Sequence, residues 1–192
     1  MNYQTLFSGL VLLMFVVCVA SRTVVLRRRG IRAMVFGETD KRDFILVAAL
    51  LAIVYASVAR SLGLPMWGVL LKPFWESAVP GWAGVGLCAL SIVLLVLALI
   101  SIGDSFRVGI DEKTSSQLMI GGMFAMSRNP IYLCVLIMLA GQFLIHRNIA
   151  ITAAAVFFPL MIHRQILREE AFLKKQYGEE YASYCRKVRR YI

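Results

Sequence analysis

Two polar stretches in an otherwise apolar chain hold the side chains that could do chemistry. The first reads Gly121-Gly122-Met123-Phe124-Ala125-Met126-Ser127-Arg128-Asn129-Pro130-Ile131-Tyr132. Its glycines permit close approach of a ligand to the backbone. Arg128 is a permanent, planar donor suited to a carboxylate or a phosphate. Composition alone favours a plainer role for it, as an anchor to lipid phosphate. Asn129 precedes a proline and is pushed out of the helical region, so its side chain can cap a helix or face a ligand.

The second stretch runs from His163 through Gln165, Arg168, Glu169 and Glu170 to Tyr181. Glu169 and Glu170 lie about two helical turns beyond the last apolar run. A carboxylate there can bind an amine, a ribose hydroxyl or a cationic cofactor. The plainer reading is an intrahelical pair such as Glu170 with Lys174, worth a few tenths of a kcal/mol. Leu173, Tyr177, Tyr181, Tyr184 and Val188 recur at helical spacing and predict one packed stripe, provided Gly178 does not break it.

The residues for covalent or metal chemistry are missing. No Gly-x-Ser-x-Gly, phosphate-binding loop, HExxH or His/Cys cluster occurs. His146 falls on a turn remote from both stretches, and His163 reads as a polar cap. Cys18, Cys88 and Cys134 sit in apolar runs and Cys185 in a basic tail, so neither a disulfide nor a metal is inferred.

The elements that must position these residues are membrane helices. Of 192 residues, 59% are hydrophobic and 17% charged, with a mean hydropathy of +0.73. A soluble domain of this size has too little interior to hide that much apolar surface. Met1–Ser21 is charge-free and is followed, not preceded, by arginines, which argues for a retained first helix rather than a cleaved signal. Phe44–Ala59 and Ser77–Gly103 read as the second and third spans. Ile131–Ile145 and Ile149–Ile162 flank His146-Arg147-Asn148 and read as a short helical hairpin, each arm about 22 Å long against a ~30 Å hydrocarbon core. Pro130 suits the first turn of one arm and Pro159 a bend in the other.

Charge placement gives the orientation. Segments 21–43, 103–130 and 163–192 hold 18 of the 21 Lys and Arg. The positive-inside rule then puts the N-terminus outside and the C-terminus in the cytoplasm. The net charge of +10 is thus a topology signal and an attraction to anionic lipids, not a nucleic-acid footprint. The expected fold is all-α and polytopic: five transmembrane helices, the last two a short hairpin, plus a cytoplasmic C-terminal helix. Residues 1–102 form a three-helix region, and 103–192 a second region that holds both polar stretches. The prolines and tryptophans of 63–80 suit an interfacial outer loop. The span interiors offer almost no polar groups, which speaks against a transporter. The two polar stretches converge on the cytoplasmic surface.

At these stretches the sequence resembles the isoprenylcysteine carboxyl methyltransferase and phospholipid methyltransferase superfamily. The resemblance lies in Gly122-Met123-Phe124, then Arg128-Asn129-Pro130-Ile131-Tyr132, Glu169-Glu170 and Tyr177-Gly178-Glu179-Glu180-Tyr181-Ala182-Ser183-Tyr184, over roughly residues 103–190. It implies a membrane methyltransferase using S-adenosylmethionine. It maps cofactor contacts to Gln117, Leu118, Met119, Phe124, Asn129, Pro130, Ile131, Tyr132 and Glu169. It gives Arg128 a catalytic, acceptor-orienting role and brings Arg164, Gln165 and Arg168 to the acceptor. Methyl transfer from a sulfonium needs alignment and exclusion of water more than bases, and aromatic faces with a carboxylate suit a cation. Two departures concern the acceptor. Asn129 stands where carboxyl methyltransferases have histidine, and Gln165 where they have a substrate arginine. The leading acceptor is a lipophilic, isoprenylcysteine-like carboxylate, with a phospholipid amine or a small thiol as alternatives. A non-catalytic scaffold or transporter subunit is the rival from another class.

Overall fold

The structure is a computed structural model and describes residues 3–31, 53–55, 57–59, 62, 72–74, 77–105 and 118–192. Four helices carry the described chain: α1 (Tyr3–Arg28), α2 (Ala78–Ile102), α3 (Pro130–His146) and α4 (Ile149–Lys187), with 3₁₀ turns at Gly103–Ser105 and Gly122–Ala125. No strand occurs among the described residues. α1, α2 and α4 are each long and apolar enough to cross a membrane, and α3, with 17 residues, is shorter. The expected second span lies outside the described residues except for helical pieces at 53–55 and 57–59. Most of the 63–80 loop lies outside them as well, and Pro80 belongs to the first turn of α2.

α1 does not stop where its charge-free run ends. It continues through Arg22 to Arg27 and Arg28, whose cations suit the negative end of the helix dipole. α2 starts after Ser77 and ends at Gly103, as the sequence predicts. α2 and α3 pack backbone to backbone. A Cβ at Gly84 would sit 2.6 Å from the Gly141 carbonyl oxygen, and one at Gly141 would sit 2.7 Å from that of Gly84. Small residues permit such approach between apolar helices. Ser91 Oγ seals the same interface by donating to the Cys134 carbonyl at 2.8 Å. Leu95, Leu99, Met138 and Leu139 join Phe15 of α1 and Phe158, Ile162 and Ile166 of α4 in one core.

The bundle interior is more polar than the sequence suggested. Ser8, Ser57, Gln142 and His146 are all buried. Gln142 Oε1 accepts from Ser8 Oγ at 2.7 Å and from Ser57 Oγ at 3.3 Å. The Ser8 proton is thereby used, so His146 Nε2, at 2.8 Å, is the donor to Ser8 Oγ. These groups come from three segments, one or two from each, which is why reading each span by its apolar run passed over them.

The turn after α3 is not a surface turn. His146, Arg147 and Asn148 are 1%, 6% and 1% exposed. Arg147 takes the left-handed conformation that ends a helix, at φ 46°, and its Nη1 donates to the Ser77 carbonyl at 2.7 Å. Asn148 Oδ1 caps α4 by accepting from Ile151 N at 2.9 Å.

α4 also departs from expectation. The arm read as Ile149–Ile162 extends to Lys187, 39 residues in all. It passes Pro159 in helical dihedrals and leaves them at Gly178 (φ 51°, ψ −121°). Such angles suit glycine far better than any other residue. The single stripe from Leu173 to Val188 is therefore broken at this glycine. Residues beyond it turn back onto the loop that precedes α3.

Candidate functional site

Adjacent residues on a helix point about 100° apart. Glu169 and Glu170 therefore serve two different neighbours. Glu169 Oε1 accepts from Tyr132 Oη on α3 at 2.5 Å and from Gln165 Nε2, one turn back on α4, at 3.0 Å. Gln165 Oε1 in turn accepts from Arg168 Nη1 at 3.0 Å. The chain Arg168, Gln165, Glu169, Tyr132 fixes the carboxylate between two helices.

Glu170 faces the returning tail. Arg190 grips it with two parallel bonds, Nε to Oε1 at 3.0 Å and Nη2 to Oε2 at 2.8 Å. Arg128 Nη2 approaches Oε1 at 3.3 Å, and Arg128 Nη1 donates to Cys185 Sγ. These arginines, and not Lys174 of the plainer intrahelical reading, pair with Glu170. Glu170 hydrogen bonding holds the Arg190 guanidinium above its ordinary pKa. Arg128 keeps one buried nitrogen, Nε, with no hydrogen-bond partner.

The loop 121–130 is fastened at both ends. Gly122 has φ 59°, and a Cβ there would clash with Ser101 Oγ. Glycine is required on both counts. It lets Met123 N donate to Ser101 Oγ at 3.1 Å, tying the loop to the end of α2. At the other end the tail holds it. Tyr184 Oη donates to the Phe124 carbonyl at 2.6 Å, Arg128 N to the Arg189 carbonyl at 3.0 Å, and Asn129 Nδ2 to the Arg190 carbonyl at 3.1 Å. Asn129 is the N-cap residue of α3 but makes no side-chain cap bond; its amide is committed to the tail. Burial pushes the Tyr184 hydroxyl up to about 12, partly opposed by the nearby Arg128 cation. Burial likewise raises Tyr181, reinforced by the charge of Glu170.

The structure thus gathers Phe124, Arg128, Asn129, Tyr132, Gln165, Arg168 and Glu169 at one end of the bundle. Pro130 is buried in the first turn of α3, and Ile131 packs on the core. Leu118 and Met119 are half-buried in the irregular segment leading into the loop. Arg164 is exposed, and Gln117 lies outside the described residues. His163 is not a simple cap, since its Nδ1 meets Tyr191 Oη at 2.8 Å.

Sequence reasoning missed Ser101, Ser127, Cys185, Arg189, Arg190 and Tyr191. The available signal was Gly178, a helix breaker placed so that the basic C-terminal residues could fold back.

No curated relative and no solved structure matches the chain. The family model for phospholipid methyltransferases matches residues 79–180, more than half of the sequence, taking in α2, the loop, α3 and α4 past Gly178. The chain belongs to the phospholipid methyltransferase family of integral-membrane methyltransferases.

Proposed function

We propose that the chain transfers a methyl group from S-adenosylmethionine to a lipophilic acceptor at the cytoplasmic face of the membrane. The observation that carries this reading is the meeting of residues 124–132 with 165–190 at one end of the bundle, with Tyr132 on Glu169 at its centre. The concentration of Lys and Arg in segments 21–43, 103–130 and 163–192 supports a cytoplasmic position for that end. Residues 1–102 then act as the membrane anchor of a catalytic region formed by 103–192.

The residues present suit the cofactor's chemistry. Glu169, oriented by two neutral donors, offers a fixed carboxylate to an amine or a ribose hydroxyl. Phe124 and Tyr132 supply aromatic surface for a cation. Leu118, Met119, Asn129, Pro130 and Ile131 complete the binding segment, and Gln117 is assigned to it from the resemblance. When bound, the cofactor supplies a methyl group on a cationic sulfur and departs as a neutral thioether.

Arg128, held in place by Glu170 and Cys185, orients the acceptor's anionic head as a fixed cation. A carboxylate acceptor needs no base: its oxygen forms a bond to the methyl carbon as the carbon–sulfur bond breaks, and no proton moves. The chain's task is alignment and exclusion of water. A site without a histidine–carboxylate pair fits that task, so O-methylation of an isoprenylcysteine-like carboxylate is the first reading. N-methylation of a phospholipid amine is the second. It is favoured by Gln165, which puts a neutral amide beside Glu169 and takes up Arg168.

The test is transfer of labelled methyl from S-adenosylmethionine to lipid extracts in membranes holding the protein. A base-labile product marks an ester, and a base-stable one an amine. Glu169→Ala should abolish transfer and cofactor binding while the protein stays folded in detergent. Unchanged binding in that variant removes the cofactor assignment.

A further inference from the structure

The family match ends at residue 180, yet the contacts that pin the loop come largely from residues after it. Tyr184 holds the Phe124 carbonyl. The Arg189 carbonyl receives Arg128 N, and the Arg190 carbonyl receives Asn129 Nδ2 at 3.1 Å and Ser127 Oγ at 3.4 Å. The bonds to Arg189 and Arg190 use the tail's backbone, so they hold only while the tail stays in place. Two side chains keep it there. Arg190 forks onto Glu170 at 2.8 and 3.0 Å, and Tyr191 stacks on His163 with its hydroxyl 2.8 Å from Nδ1. His163 and Glu170 both belong to α4, the helix that carries Glu169.

From this geometry we infer that Arg190 is a positioning residue of the donor site. Its guanidinium is anchored on Glu170, the residue after Glu169 on α4, and its carbonyl fixes Ser127 and Asn129, so it sets the distance between the loop and the turn of α4 that carries the donor-binding carboxylate. It touches no reacting atom. The inference rests on the methyltransferase reading above.

The test uses the full chain in lipid nanodiscs with Arg190→Gln and Arg190→Lys. Two readouts are taken: amide hydrogen exchange over 123–130, which does not depend on any ligand, and calorimetric binding of S-adenosylmethionine. Arg190→Gln removes the fork but keeps the carbonyl. It should speed exchange over 123–130 and weaken donor binding about tenfold, with exchange within α2 and α3 unchanged. Arg190→Lys keeps the charge and one donor, and should return binding to within about threefold of the unsubstituted chain. Unchanged exchange, or faster exchange with unchanged donor binding, overturns the inference. So does uniform weakening of α2 and α3 that lysine does not repair. Failure of the unsubstituted protein to bind the donor overturns the methyltransferase reading itself and is visible as such.

Discussion

Tyr132 Oη donates to Glu169 Oε1 at 2.5 Å, and this bond joins α3 to α4 across 37 residues of sequence. Hydrogen bonds to a charged partner are worth about 1.5–3 kcal/mol. Tyr132→Phe should therefore weaken S-adenosylmethionine binding about tenfold, checked by calorimetry. Glu169→Gln keeps an acceptor for Tyr132 but loses the charge, and should cost more than Tyr132→Phe. Equal losses would mean the bond serves the helices and not the ligand.

Gly122 stands where a side chain meets both strain and a clash. Gly122→Ala puts a Cβ against Ser101 Oγ and keeps a positive φ that alanine disfavours. A destabilisation of about 1–2 kcal/mol is expected, read as a lower melting temperature in detergent. Adding Ser101→Ala should recover only part of it, because the backbone strain remains.

The buried tyrosines give a pH dependence with a definite sign. The Tyr184 pKa is raised above its unfolded value of 10.0 to about 12, so folding favours its neutral form. Its contribution is complete below pH 10 and is lost as pH rises from there toward 12. The melting temperature should fall over that window, and Tyr184→Phe should flatten the fall.

Gly84 and Gly141 bring α2 and α3 together. Gly141→Leu should push them apart, costing about 1–3 kcal/mol. Lower methyl transfer with a lower melting temperature is expected. Full activity with unchanged stability would show that this contact is dispensable.

The spans at α1 and α2, the start of α3 at Pro130 and the convergence of the two polar stretches were legible because apolar runs and turn residues act locally. Glu169 was singled out by its distance past the apolar run and by the family pattern. Its partnership with Tyr132 and Gln165 needed the packing of α3 on α4. The tail's course was left open because Leu173, Tyr177, Tyr181, Tyr184 and Val188 keep helical spacing across Gly178, and only the observed φ of 51° decides that the helix breaks. The His146–Ser8–Gln142–Ser57 chain was invisible because its members come from three separate segments, each contributing one or two of them.

That buried chain has a consequence for how the first helix is placed. α1 is apolar nearly all round, so hydrophobicity alone cannot distinguish its protein-facing side from its lipid-facing side. Ser8, meeting His146 and Gln142, makes one rotation about the helix axis better than every other. Where oil meets oil, Ser8, with Gln4 one turn earlier bonded to the Ala78 carbonyl, supplies the azimuth.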